Sequence, residues 1–214
     1  MKYILFSHGF GVKKDSRGMF TDIAESFPEY TPVMFDYNMI NADTNEVTVE
    51  PYSKQAKILE SELNEIRRAD QDAEITLICH SQGCIIPCLI NDHKIEKVIL
   101  LAPPKVLGSN MRRNKNVEKT EHGEFKIPRK DGTTTIVTKE FVEELDKTFP
   151  IKLYENLSQL NQIYMVNAKQ DEILKDTDFT ELKDLIKIYE IDGDHNFTGQ
   201  YRKGLIKKLK QIIV

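Results

Sequence analysis

Six short apolar runs recur along the chain, at Tyr3 to Phe6, Pro32 to Phe35, Ile75 to Cys79, Lys97 to Leu101, Gln162 to Val166 and Ile186 to Glu190. Each is nearly continuous in hydrophobicity and does not alternate with polar residues. That is the pattern of parallel strands covered on both faces. Helical periodicity fills the gaps. Ser16 to Ser26 predicts a helix ended by Pro28, and Pro51 to Arg68 predicts another, with Ile58, Leu59, Leu63 and Ile66 as its apolar stripe. A third helix is expected to open at Ser81 or Gln82, and a last one to run from near Gly199 to the C-terminus, where Lys207, Lys208 and Lys210 complement the dipole. Strand–helix alternation of this kind predicts an α/β fold: an open, mostly parallel six-stranded sheet with helices on both faces.

One stretch breaks the rhythm. Residues 104–160, between the fourth and fifth strands, are far more chain than a crossover helix needs, and a segment of that length with structure of its own is usually functional. Its centre, GEFKIPRKDGTTTIVTKEFVEEL, predicts two short strands around Lys130-Asp131-Gly132-Thr133, because Asp-Gly between alternating residues is a hairpin signal. A helix follows, with Thr138 as N-cap. We therefore expect one domain over 1–214 with a lid inserted at 104–160, placed at the sheet edge where ligands bind in open α/β folds. Phe125, Ile127, Ile136, Val137, Phe141 and Leu145 are its candidate packing and pocket residues.

Composition narrows the function classes. The chain has 214 residues, of which 40% are hydrophobic and 30% charged, with a net charge of −4. This length suits one domain, and the negative charge argues against nonspecific nucleic-acid binding. No apolar run approaches the roughly 20 residues of a membrane span, and Ser7-His8 interrupts the N-terminal apolar stretch too early for a signal peptide. A cytoplasmic location is expected. Cys79, Cys84 and Cys88 suit neither a disulfide framework nor a metal site and read as small buried side chains. The basic run Met111 to Lys115 reads as a solvated loop.

Four loops at the predicted strand ends carry the chemistry. Cys79-His80-Ser81-Gln82-Gly83 follows the third strand. A serine on a sharp strand-to-helix turn projects its hydroxyl above the sheet edge, and the turn requires small residues two before and two after it. Gly83 meets that requirement and Cys79 stands where glycine is expected. Ser7-His8-Gly9-Phe10-Gly11 follows the first strand, where a glycine-rich loop can aim a backbone N–H at a developing oxyanion. Paired with the serine turn, this assigns the Phe10 and Gln82 amides as an oxyanion hole. His195, in GDHNF after the last strand, is the candidate general base. Asp171, just past the fifth strand, is the candidate acid that orients it, with Glu172, Asp176 and Asp178 as alternatives. His8 and His80 adjoin these turns and are expected to shape them, while His93 and His122 read as solvated.

SHGFG, CHSQGC, AKQDEI and GDHNF, in this order over nearly the whole chain, resemble the α/β-hydrolase superfamily, and HGF with HSQG is similar to small esterases of the feruloyl or cinnamoyl type. The departures are Cys79 and Cys84 where glycines are expected, and a start directly at the oxyanion-loop strand. The resemblance implies hydrolysis of small carboxylic esters through an acyl-enzyme by a Ser81–His195–Asp171 triad, without metal or organic cofactor. Thioesterase, peptidase or C–C hydrolase chemistry would use the same triad, and a non-catalytic binding protein of the same fold is the alternative of another class.

Overall fold

The computed structural model describes residues 1–90, 92, 94–108, 117–121, 123–129, 131–174 and 176–213. In chain order the elements are β1 (Lys2–Ser7), α1 (Met19–Glu25), β2 (Thr31–Met34), β3 (Met39–Asn41), β4 (Glu46–Val49), α2 (Tyr52–Ala69), β5 (Glu74–His80) and β6 (Lys97–Leu101). There follow β7 (Glu118–Lys119), β8 (Phe125–Pro128), β9 (Thr134–Val137), α3 (Lys139–Leu145), α4 (Pro150–Ser158), β10 (Ile163–Ala168), β11 (Lys187–Ile191) and α5 (Gln200–Ile213).

All six predicted apolar runs are strands of one sheet, ordered β11-β10-β6-β5-β1-β2, and every pairing in it is parallel. Side chains alternate between two cores, as the pleat demands. Leu5, Leu77, Cys79, Leu100 and Met165 face α2 and α4, whose Leu59, Leu63, Tyr154 and Leu157 cover them. Ile4, Phe6, Ile78, Ile99 and Val166 face α1 and α5, covered by Phe20, Ile23, Leu205 and Leu209. The chain steps from β1 to β2 on one side and then to β5 on the other, so the strand order reverses between β1 and β5. Open sheets present a ligand crevice at the carboxyl ends of such a pair.

The segment after Ser81 corrects the expectation of a helix there. It forms two short 3₁₀ turns, Ser81–Cys84 and Ile86–Leu89. The physical reason is Pro87. In an α-helix residue 87 would donate its N–H to the Gly83 carbonyl, and proline has none to give. The hydroxyl of Ser7 donates to that carbonyl instead, at 2.8 Å.

A second sheet, ordered β3-β4-β9-β8-β7, contains the expected hairpin. β8 and β9 pair antiparallel around Gly132, whose φ is +83°, and Thr138 caps α3 by accepting from the Phe141 N–H at 3.2 Å. Residues 39–49, for which the sequence pattern predicts no element, supply β3 and β4, and β4 pairs in parallel with β9. Phe125, Ile127, Val137, Phe141 and Leu145 pack on the α2-side core, and Ile136 is buried as well. The basic run at 111–115, His93, His122 and Lys130 of the turn lie outside the described residues. Among the described residues no helix is long and apolar enough to cross a membrane.

Candidate active site

Ser81 leaves β5 with φ +53°, a left-handed conformation that a non-glycine residue adopts only where its surroundings enforce it. Gly83 is part of that enforcement. A Cβ placed there would stand 2.4 Å from the Ser7 carbonyl oxygen and 2.5 Å from that of His8, so no side chain fits. Position 79 is different: the Cys79 side chain points into the α2-side core and is fully buried, which is why a thiol is accommodated where glycine was expected. The closeness requirement therefore falls on one side of Ser81 only.

The β10 and β11 loops meet above this turn. His195 lies 2.9 Å from the Ser81 hydroxyl through Nε2 and 2.7 Å from Asp171 Oδ2 through Nδ1. A carboxylate only accepts, so the proton of the neutral imidazole sits on Nδ1 and the Nε2 lone pair is left to accept from Ser81. The other oxygen of Asp171 accepts the N–H groups of Ile173 and Leu174 at 2.8 and 2.7 Å. Burial alone would raise the Asp171 pKa; the hydrogen bond and charge of His195, with the two backbone donors, outweigh it and hold the carboxyl below its ordinary value. The alternative carboxylates have other partners. Glu172 accepts the His195 backbone N–H at 3.1 Å, and Asp176 faces Lys105 at 3.8 Å. Asp178 caps Thr180.

Histidines 8 and 80 do shape the turns. His80 is buried, which pushes its pKa down to about 3 and keeps it neutral. Its Nε2–H donates to the His195 carbonyl at 2.9 Å, so its Nδ1 accepts from the Ser16 hydroxyl at 3.2 Å. His8 has the opposite tautomer: Nδ1–H donates to the Gly9 carbonyl at 3.0 Å while Nε2 accepts the Tyr37 N–H at 2.9 Å. Burial lowers its pKa too. Ser7, Ser16 and Tyr37 are the supporting residues that sequence reasoning missed. Ser7 stood inside the SHGFG motif, but single serines and tyrosines carry no spacing signal.

Gly9 abuts the serine: a Cβ there would be 3.6 Å from the Ser81 hydroxyl oxygen. Phe10, Ser81 and Gln82 line one cavity of about 370 Å³, with further walls from Leu107, Ile127, Phe141 and Leu145 of residues 104–160 and from Glu172, Ile173 and Leu174 of the acid loop. Of the candidate lid residues, Ile127, Phe141 and Leu145 line this cavity; Phe125, Ile136 and Val137 do not. Arg129 also lines it, and nothing in the sequence had singled it out.

No protein-family model matches the chain, and no curated protein matches it. Solved structures do. Est1E from Butyrivibrio proteoclasticus, with ferulic acid bound, superposes with a TM-score of 0.75 at 14% identity, over 100% of this chain and 88% of that one. The peroxisomal α/β-hydrolase Lpx1 of Saccharomyces cerevisiae gives 0.60 at 14% identity, over 99% and 76%. A thioesterase domain from the curacin biosynthetic pathway gives 0.61 at 13%, over 98% and 91%. The chain thus has the α/β-hydrolase fold, as its motifs implied.

Proposed function

We propose that the protein is a serine hydrolase that cleaves small carboxylic esters through an acyl-enzyme, with Ser81 as nucleophile, His195 as general base and acid, and Asp171 as its orienting carboxylate. The observation that carries this reading is the hydrogen-bonded line from Asp171 through His195 to Ser81, at 2.7 and 2.9 Å, ending at the cavity. Ser81 Oγ attacks the ester carbonyl as its proton passes to His195 Nε2. The amides of Phe10 and Gln82 then hold the oxyanion. Collapse expels the alkoxide, which takes that proton. Water attacks the acyl-enzyme by the same route, and the acid leaves. The acyl-enzyme bonds atoms of Ser81 and substrate only, so nothing else is consumed but water. A small-molecule ester is the partner this cavity suits, and neither nucleic acid nor a metal enters the scheme.

Covalent labelling with a fluorophosphonate probe tests the reading. The expected adduct is on Ser81; an unlabelled, folded protein would remove Ser81 from the role of activated nucleophile.

In this scheme the part of residues 104–160 that walls the cavity, with Leu107, Ile127, Phe141 and Leu145, selects the acyl group, while α4 covers the main sheet. Deleting residues 104–160 whole would strip Phe141, Leu145 and Tyr154 from the core, so a point change is the cleaner test. Leu145→Ala should cost about 2–5 kcal/mol of stability and move the preferred acyl chain to greater length. A panel of p-nitrophenyl esters, read beside thermal melting, checks it. An unchanged ranking in the folded variant would mean that this wall does not choose the substrate.

A further inference from the structure

The cavity holds a cation that the proposed chemistry leaves unused. Arg129 follows β8 and its guanidinium lies over the Phe10 ring, 5.3 Å from the centroid. Its Nε donates to Thr135 Oγ1 at 2.8 Å. Its Nη2 is buried with no hydrogen-bond partner among the described residues. Among those residues, too, no carboxylate lies within ion-pairing distance of it. Asp131, whose charge offsets part of the Arg129 charge, stands 3.9 Å from Arg17 instead.

Arg129 is partly buried, with Asp131 acting on it only at a distance; a guanidinium partly withdrawn from water with no directly paired anion has charge left to satisfy, and its planar fork of five donors is shaped for a carboxylate. Burial first, and Arg17 second, push the Arg129 pKa down, and a bound anion would push it back up. Around it the walls are largely apolar, from Leu107, Ile127, Phe141 and Leu174. The other charged lining residue, Glu172, is engaged on the His195 N–H.

Distance along the oxyanion loop sets the scale. Gly9 abuts Ser81, while a Cβ at Gly11 would stand 2.8 Å from Arg129 Nη2. Two residues of chain span at most about 7 Å, so with the approaches at both ends added Arg129 Nη2 lies within roughly 17 Å of the Ser81 hydroxyl. We propose that Arg129 is the specificity residue of this cavity and binds a carboxylate carried by the substrate, so that the preferred substrates are esters that also bear a free acid. This rests on the hydrolase reading of Ser81.

The carboxylate can sit on the acyl or the alcohol part, and two substrate pairs separate these sources. Monophenyl glutarate is compared with its neutral methyl ester, and acetoxybenzoate with methyl acetoxybenzoate. The expected result is a preference for the charged member in kcat/KM, in at least one pair, of about 10–100-fold, carried mainly by KM. Arg129→Gln should bring that ratio near unity, with melting measured in parallel. Should the Gln variant not fold, Arg129→Lys serves: a point charge without the fork should give an intermediate ratio. A neutral preference in both pairs, or a ratio unchanged in either folded variant, overturns the proposal. Fluorophosphonate labelling is run on the same samples. Labelling with no acid preference overturns the Arg129 assignment alone, whereas absence of labelling overturns the hydrolase reading and this one with it.

Discussion

Ser81→Ala is expected to lower kcat for a short-chain p-nitrophenyl ester by about 10⁴-fold or more while the protein melts at nearly its original temperature. The size follows from the role: without the hydroxyl there is no covalent intermediate, and only the amides and the cavity remain to assist water. The unchanged fold follows from position. Ser81 is partly exposed at the cavity, and its hydroxyl bonds to His195. The left-handed turn is held by Gly83 packing under the Ser7 and His8 carbonyls, and by Ser7 itself. Ester hydrolysis measured beside thermal melting decides the matter. Retained turnover in a folded variant would end the assignment.

Asp171→Asn is expected to cost about 10³–10⁴-fold. The backbone donors at Ile173 and Leu174 keep the amide oxygen where Oδ1 now lies, which turns the NH₂ toward His195 Nδ1. That nitrogen must then accept, the imidazole proton moves to Nε2, and the lone pair facing Ser81 is lost. Asp176→Asn and Asp178→Asn should stay near wild type, since these carboxylates bond Lys105 and Thr180. The reverse pattern of rates would show that the wrong carboxylate had been chosen. Acid stability offers a second readout. Because the Asp171 pKa is lowered on folding, its contribution is full above the ordinary aspartate value of the unfolded chain and is lost as the pH falls through the folded one. The Asn variant lacks this dependence.

Much of the main sheet and of the candidate site is legible in the amino-acid sequence. The central strands announce themselves because a parallel strand buried on both faces has no polar positions to blur it, as ITLIC and KVILL show. The loops that meet at Ser81 are legible because each follows such a strand directly. The rest is hidden for identifiable reasons. Residues 39–49 form half-exposed strands, of which β3 is exposed throughout and β4 alternates, so they lack the continuous run that marks the main sheet. The β9 strand that pairs with β4 lies far along the chain, and no local pattern reports such a pairing. Arg129 looks like any hairpin arginine until the fold sets it over Phe10. Only the failed helix after Ser81 was foreseeable, since Pro87 was in plain view.

That missing helix has an electrostatic consequence. Peptide dipoles aligned along a helix act at its start mainly through the free N–H groups of the first turn, and the effect fades within that turn. The four-residue 3₁₀ turn beginning at Ser81 keeps this terminal set and discards the rest of the macrodipole. For the oxyanion chemistry proposed here, the field at the nucleophile is therefore a property of a few oriented amides. The residues beyond Cys84 are released from any duty to extend it, and they are free to be chosen for packing against α2 and α4.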